Sequence, residues 1–306
     1  MNTWPKNKKF AFTIIDDTDN STIENIKPVY DYLTSKGILA TKTIWIYPPN
    51  DHYSGSSLRD QNYLEYIKEL KLNGFDIQLH NVGSGKFKRD TIIKGLKEFK
   101  LILGTFPKIH INHSQNTDNL YWGYKRHVFP FRLLFGLIQR NKSFEGEESD
   151  SPYFWGDWSA GILKYTRNYV FNDINTLKMD PKMPWRDTRK PLVNYWFSSS
   201  DGHSLDEFIS LLEEKNIQRL SDEGGACIVY THFASGFVAE DGTLNQDFKR
   251  AIDLLSKHDA WFTTATELLD FLVQNQENRT VKYPYLLRLN TKWLIHRIIK
   301  KIKFKK

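Results

Sequence analysis

The sequence predicts an α/β fold built on a parallel sheet or barrel. Short apolar runs rich in β-forming residues alternate along the chain with longer segments of helical period. Gly37, Gly74 and Gly104 lie where the first three of these helices should end. Strands are expected at 10–15, 43–47, 75–80, 108–112, 191–197, 226–231 and 260–264, and helices at 22–36, 60–73, 89–103, 205–215, 245–257 and 265–275.

Residues 114–190 break this alternation and predict a long, aromatic-rich insertion in a domain that spans 1–278. A segment of this kind is often functional, although it can equally serve as a cover over one end of a barrel. Within it, residues 169–174 are a candidate for a further strand.

Composition predicts a protein with a large core. Of its 306 residues, 40% are hydrophobic and 14% aromatic, and a charged fraction of 26% is ordinary for globular domains. The single cysteine, Cys227, excludes an internal disulfide and a cysteine-based zinc site. No segment has the length and apolarity of a signal peptide or a membrane span, which predicts a cytoplasmic protein.

The basic charge is concentrated in a C-terminal tail, residues 279–306. This tail contains ten Lys and Arg and no acidic residue, so the remaining chain carries 33 basic and 36 acidic residues. Ile295, Ile298, Ile299 and Ile302 recur at helical spacing and predict a basic amphipathic helix. The helix either lies on an anionic membrane, making the protein peripheral, or packs its isoleucines on the barrel. Nucleic acid is a weaker candidate, because the main domain is slightly acidic.

Polar residues capable of chemistry follow four of the predicted strands. Asp16 and Asp17 end the first strand, and His80, His113 and His232 end three others. If the strands are parallel, all five side chains meet at one rim, where α/β folds bind ligands. Adjacent residues at a strand end point to opposite sides of the backbone, so one acid can bind a metal while the other faces water.

These motifs resemble those of the polysaccharide deacetylase, or NodB-like, carbohydrate esterases. Thr13-Ile14-Ile15-Asp16-Asp17 is similar to the family's first motif, Thr-Phe-Asp-Asp, with one residue more. Tyr230-Thr231-His232 is similar to the last motif, Leu-x-His. The second motif, His-Ser/Thr-x-x-His, is half present, because Ser84 stands where the second histidine should be. The arginine and proline of the third motif have no counterpart in residues 111–116.

The resemblance implies a distorted (β/α)-barrel of seven or eight mostly parallel strands. It also implies that Asp16 is the catalytic base, His232 the catalytic acid, and Asp17 and His80 metal ligands. Asp201 lies where the family often places an acid that orients the catalytic histidine, although Asp201-Gly202 also suits a simple turn.

The missing histidine leaves the third metal ligand open. We expect His113 to supply it, so that Asp17, His80 and His113 form an Asp-His-His set that suits zinc or a similar divalent metal. Asp19, Asp201 and His203 are further candidates. Asn112 is expected to face the substrate, and Trp122, Trp155 and Trp158 are either platforms for sugar rings or core residues.

The resulting hypothesis is a metal-dependent hydrolase that removes an N- or O-acetyl group from a saccharide, in cell-surface polysaccharide metabolism and on a substrate that can be lipid-linked. One alternative is a catalytically degenerate carbohydrate-binding protein. Another is a different glycan hydrolase on the same barrel, which would pair Asp16 with Asp201 or Asp157.

Overall fold

The computed structural model describes residues 4–275 and 279–304, which form a barrel of parallel strands surrounded by helices. The seven strands β1 to β7 close the barrel through pairing of β1 with both β2 and β7, and β8 adds to β1 outside the closed ring. This confirms the predicted distorted (β/α)-barrel. The strands are β1 (Phe10–Asp16), β2 (Ala40–Ile44), β3 (Asp76–Leu79), β4 (Ile109–His110), β5 (Tyr165–Phe171), β6 (Tyr195–Asp201), β7 (Ala226–Thr231) and β8 (Ala260–Phe262).

The helices follow the strands in the alternation that the sequence predicts, with extra short helices after β4 and β5. They are α1 (Ile23–Ser35), α2 (Gln61–Leu72), α3 (Arg89–Leu103), α4 (Phe131–Ile138), α5 (Gly156–Ile162), α6 (Thr176–Met179), α7 (Leu205–Leu211), α8 (Glu214–Asp222), α9 (Gln246–Ser256), α10 (Ala265–Gln274) and α11 (Tyr283–Lys303). A 3-10 turn, Gly123–Arg126, precedes α4.

Strand β1 organises the barrel and explains its distortion. All seven of its residues are buried. On one side it pairs with β7 along residues 11–16. On the other side it pairs with β8 through residues 10–12 and with β2 through residues 14–16. The strand therefore changes partner halfway along its length, and only its carboxyl half belongs to the closed ring on that side.

Several strands differ from their predicted bounds: β2 lies three residues earlier than predicted and β6 four residues later. Two further differences concern strands next to the functional residues. Strand β5 lies inside the predicted insertion 114–190 and begins at Tyr165, earlier than the expected segment 169–174. It carries an irregularity between Arg167 and Val170. Strand β4 consists of only two residues, Ile109 and His110, so the polar residues that follow it lie outside the strand.

Helix α11 confirms the predicted basic amphipathic helix, but a different set of residues faces the barrel. Leu286, Leu289 and Trp293 are buried, and the ring of Trp293 lies 6.2 Å from that of Tyr169 on β5. The four isoleucines of the tail are 47–68% exposed. The alternative in which they pack on the barrel is therefore wrong. No helix among the described residues is long and apolar enough to span a membrane.

We predict that Trp293→Ala lowers the free energy of unfolding by about 3 kcal/mol or more, because it opens a cavity between α11 and β5. Ile298→Ala on the opposite face of the helix should change it by no more than about 0.5 kcal/mol. Urea denaturation of both variants measures the difference. Equal effects of the two substitutions would contradict the packing of α11 on the barrel.

Candidate functional site

The carboxyl ends of the strands open into a cleft of about 440 Å³. Because the strands are parallel, the residues that follow β1, β3, β4 and β7 converge here, as the sequence predicts. The cleft is lined by Asp17, Asp19, Asn20, Tyr53, His80, Asn112, Ser114, Trp122, Arg126, Arg167, Val170, His203, Tyr230, His232, Ser235, Trp293 and Arg297.

One carboxylate and two histidines form a cluster with the composition of a metal site. Asp19, His80 and His113 each direct a ligand atom to a region in which these atoms lie within 4.8 Å of one another. Oδ1 of Asp19 is 2.9 Å from Nε2 of His113 and 3.8 Å from Nε2 of His80. Two imidazoles and a carboxylate are ligands that zinc and related divalent ions prefer.

The surrounding loop fixes the orientation of His113. The side-chain N–H of Asn116 donates to the carbonyl of Gly83, and its Oδ1 accepts from the N–H of Gly85. These two hydrogen bonds determine which end of the amide is the oxygen. Nδ1 of His113 lies 3.1 Å from the same oxygen and therefore carries the proton. Nε2 lies 2.9 Å from Oδ1 of Asp19 and hydrogen-bonds to it, and although burial opposes a charged ring, this hydrogen bond and the charge of Asp19 raise the pKa of His113. A cation bound between Nε2 and Asp19 would displace the proton of Nε2, which gives the usual arrangement around a metal-binding histidine.

The imidazole of His80 is buried and free of hydrogen bonds on the side of Nδ1, which has no partner within residues 4–275 and 279–304. Its Nε2 lies 3.8 Å from Oδ1 of Asp19. Burial lowers the pKa of His80 to about 4, so the ring is neutral and has a lone pair to offer. A buried imidazole without hydrogen bonds is costly, and coordination of a cation would offset that cost. The residues present therefore fit a divalent metal.

Asp17 does not belong to the cluster, because an arginine occupies both of its oxygens. The guanidinium of Arg167, from β5, donates to Oδ1 at 3.1 Å and to Oδ2 at 2.5 Å. Burial opposes ionisation of Asp17, but the charges of Arg167 and His80 outweigh it and lower the pKa of the carboxyl. The geometry thus favours Asp19 over Asp17 as the carboxylate ligand.

Asp16 points away from the cleft and is fully buried. Its carboxylate lies 2.8 Å from Nζ of Lys42, accepts a hydrogen bond from the hydroxyl of Tyr30 at 3.0 Å, and accepts another from the N–H of Phe233 at 2.9 Å. These contacts use its oxygens to hold β1, β2 and the loop after β7 together. Asp16 is 0% exposed and does not line the cleft, so this geometry does not favour the catalytic base predicted at Asp16.

His232 lies beside the cluster, as the sequence predicts. Its Nε2 is 2.9 Å from Oδ2 of Asp19, and its Nδ1 is 3.3 Å from the carbonyl of His203. Burial disfavours a charged ring, but the hydrogen bond to Asp19 and the charge of Asp17 outweigh it and raise the pKa of His232. With an acceptor oxygen at each nitrogen, the ring is held in its protonated form.

Asp201, predicted to orient His232, bonds a lysine of α11 in this structure. Oδ2 of Asp201 accepts a hydrogen bond from Nζ of Lys300 at 2.8 Å. The carbonyl of His203 takes the orienting position instead. His203 itself faces the cleft, and its ring lies 4.5 Å from that of His232.

The predicted substrate-binding residues divide between the cleft and the core. Trp122 and Asn112 line the cleft, although Asn112 also exchanges two hydrogen bonds with the backbone of Leu120. Trp155 is 1% exposed and donates its indole N–H to the carbonyl of Asp118, so it is a core residue. Trp158 lies outside the cleft, with the ammonium of Lys97 over its ring.

Several residues of the cleft were not predicted from the sequence. Arg167 lies in the segment 114–190, for which the sequence predicted no strand at this residue. A charged residue in the largely apolar run that ends at Phe171 is nevertheless a recognisable signal of function. Trp293 and Arg297 come from α11, which the sequence presents as a tail. Tyr53 comes from the loop between β2 and α2, and Arg126 from the 3-10 turn.

Comparison with known proteins gives structural likeness alone. No family model and no curated protein matches this sequence. Among solved structures, the chain is similar to a family 4 acetyl xylan esterase from Clostridium thermocellum in complex with a cobalt ion, with 12% identity, 85% of this chain and 91% of that chain covered, and a TM-score of 0.39. It is also similar to a peptidoglycan deacetylase from Bacillus subtilis, with 10% identity, 88% and 93% covered, and a TM-score of 0.40.

A third similar structure is a mutant of a pseudoenzyme of the same carbohydrate esterase family, with 12% identity, 88% and 72% covered, and a TM-score of 0.39. Likeness at this level does not assign an activity to the chain.

We predict that Asp19→Asn, His80→Ala and His113→Ala each weaken zinc binding by roughly 100-fold or more, because each removes a ligand. Asp17→Asn should weaken it by about tenfold, the lower end of the effect of changing a residue beside the ligands, because Asp17 bonds Arg167 and none of the three ligands. Competition titration of purified protein against a chromophoric zinc chelator measures both effects. A loss with Asp17→Asn as large as that with Asp19→Asn would restore Asp17 to the ligand set.

Proposed function

We propose that this chain is a metal-dependent hydrolase that removes an acyl group from a saccharide, and that it is a divergent polysaccharide deacetylase. The proposal rests on the groups that meet in one cleft. The Asp19-His80-His113 cluster lies there beside a carboxylate held by an arginine and a protonated histidine. These are the parts that metal-assisted hydrolysis requires: a metal site, a base and an acid.

Asp19, His80 and His113 would hold the divalent metal, zinc being the ion that these ligands suit best. A cation bound there would polarise the acyl carbonyl and lower the pKa of water. Asn116 maintains the ligand tautomer of His113, as described above. Ser84, at the position of the missing motif histidine, donates to both oxygens of Asp51 and so supports the same loop without serving as a ligand.

Asp17 is the proposed general base. It lines the cleft, and Arg167 keeps it ionised and fixes its orientation. An ionised carboxylate has about four acceptor positions, so the two hydrogen bonds from Arg167 leave others for the proton of an attacking water. This role replaces the one predicted for Asp16.

His232 is the proposed general acid. Both of its ring nitrogens face oxygen atoms, which favours the protonated ring. It can therefore donate a proton to the leaving amine or alkoxide as the acyl group departs. Trp122 and Tyr53 supply aromatic surface along the cleft that suits a sugar ring.

A degenerate carbohydrate-binding protein is the second candidate, because Ser84 replaces a motif histidine. The position of His113 in the cluster favours the enzyme over this alternative. The geometry does not support a glycosidase that pairs Asp16 with Asp201 or Asp157. Asp16 is buried on Lys42, Asp201 bonds Lys300, and Asp157 forms a surface ion pair with Arg89.

We predict that the zinc-loaded protein releases acetate from N-acetylated amino-sugar oligosaccharides or O-acetylated xylan fragments. Asp17→Asn should reduce kcat by roughly 10²–10⁴-fold with little change in KM, because it removes proton transfer without removing a substrate contact. Asp150→Asn, on an exposed loop, is the matched control and should retain full activity.

Acetate release that survives in both Asp17→Asn and Asp19→Asn would contradict this site. Binding of the oligosaccharides by fully zinc-loaded protein without any acetate release would favour the degenerate binding protein.

We further propose that the protein binds an anionic membrane surface through α11 and α4, where a lipid-linked saccharide would be presented. The outward face of α11 exposes Ile295, Ile298, Ile299 and Ile302, and basic residues flank it. Leu133, Leu137 and Ile138 of α4 are 59–67% exposed. The two helices are neighbours, since the rings of Phe135 and Trp293 lie 5.4 Å apart. Exposed apolar residues beside lysines suit the interface of an anionic bilayer.

We predict that Ile298→Asn combined with Ile302→Asn weakens binding to vesicles containing phosphatidylglycerol by roughly tenfold or more, because two apolar side chains no longer enter the interface. Leu72→Asn combined with Leu101→Asn is the matched control, since both leucines are more than 80% exposed elsewhere on the surface. Vesicle co-sedimentation measures binding. Equal binding by the two double variants would contradict the proposed surface.

A further inference from the structure

The end of the cleft away from the metal cluster carries positive charge that the protein does not neutralise. Three arginines line the cleft: Arg126, Arg167 and Arg297. Arg167 is paired with Asp17. Within residues 4–275 and 279–304, no carboxylate lies within 4.0 Å of Arg126, and only Asp201 reaches that distance from Arg297. Asp201 is closer to Lys300, at 2.8 Å.

Arg126 is held rigidly while most of its donors stay available. Its guanidinium lies between two indole rings, 4.7 Å from the centroid of Trp122 and 4.8 Å from that of Trp293. Its backbone carbonyl accepts hydrogen bonds from Lys190 at 2.6 Å and from Tyr169 at 3.2 Å. Stacking of this kind uses the faces of the guanidinium and leaves its in-plane N–H groups free for other partners.

Few of these N–H groups have acceptors in the described part of the chain. One Nη1–H donates to the carbonyl of Asn168 at 3.1 Å, and Nε lies 3.5 Å from Nε2 of His127. Three of the five donors of a guanidinium therefore have no protein acceptor. Burial lowers the pKa of Arg126 to about 10, and the like charges of Arg297 and Arg167 act in the same direction. The positive charge at this end is thus unbalanced.

We propose that Arg126 and Arg297 bind an anionic oxygen group, a phosphate or a carboxylate, that is carried by the saccharide substrate. The proposal rests on the proposed function, since it takes the occupant of the cleft to be a saccharide. A guanidinium binds both kinds of oxyanion through two parallel hydrogen bonds. Trp122, which flanks Arg126 and is only partly buried, offers aromatic surface to the adjoining sugar ring. The substrate class would then be an acidic or phosphorylated glycan instead of a neutral polysaccharide.

Calorimetric titration of the full chain with three probes tests the proposal without depending on catalysis. The probes are methyl N-acetylglucosaminide, which is neutral, N-acetylglucosamine 1-phosphate, and the methyl glycoside of N-acetylglucosaminuronic acid. We expect at least one anionic probe to bind roughly tenfold or more tightly than the neutral one. Comparison of the phosphate with the uronate identifies which anion the site takes.

Arg126→Gln and Arg297→Gln should each reduce this preference to about threefold or less while leaving binding of the neutral probe within about twofold. Arg288→Gln is the matched control, because Arg288 is exposed on the same helix outside the cleft. Arg297 is 45% exposed, so its variant tests the proposal even if Arg126→Gln impairs folding.

Equal binding of neutral and anionic probes, a preference that persists in both variants, or an equal loss in Arg288→Gln would each overturn the proposal. The outcome is separable from that of the hydrolase. Acetate release from neutral glycans without anion preference would overturn only the anion site. Anion preference without acetate release would overturn only the hydrolase.

Discussion

The ion pair between Asp17 and Arg167 is the interaction on which the site depends. It joins the end of β1 to β5 across the rim of the barrel, and both side chains are buried. A buried carboxylate is stable only when it is paired with a cation, and the partner of Asp17 is the guanidinium of Arg167. Asp17 is thereby ionised and fixed in orientation, and both of its oxygens bond the guanidinium. In the proposed metal site the carboxylate ligand is therefore Asp19, two residues further along, which reaches the histidines.

Three acids within four residues consequently have three different environments. Asp16 pairs with Lys42 in the core, Asp17 pairs with Arg167 at the wall of the cleft, and Asp19 contacts His113 and His232. Each environment is defined by the partner that another strand or loop delivers. The proposed roles of the three acids, one structural, one a base and one a metal ligand, thus follow from which partner each carboxylate meets.

The sequence was sufficient to predict the barrel and to predict which histidines lie together at its rim. Alternating strand and helix patterns indicate parallel strands, and parallel strands bring His80, His113 and His232 to one rim whatever the details of packing. The roles proposed for Asp17 and Asp19 differ from those predicted for Asp16 and Asp17, because adjacency in sequence shows only that two acids diverge. It does not show which of them meets a cation, since Lys42 and Arg167 lie 26 and 150 residues away.

Other residues escaped prediction because their positions depend on packing between distant segments. Trp155 has the composition of a sugar platform but is buried against His110 and the backbone of Asp118. The sequence of helix α11 predicts a separate tail, but in the structure this helix places Trp293 and Arg297 in the cleft. Its isoleucines follow the same period as its buried residues, so periodicity alone could not tell which face meets the barrel.

The central claim is that Asp19, His80 and His113 hold a divalent metal while Asp17 stays paired with Arg167. Crystals grown with zinc and measured at the zinc absorption edge test it most directly, because anomalous scattering locates the ion. We predict one strong anomalous peak bonded to Asp19, His80 and His113, with both oxygens of Asp17 on the guanidinium of Arg167. A zinc ion bonded to Asp17, or no anomalous peak at this rim, would contradict the account.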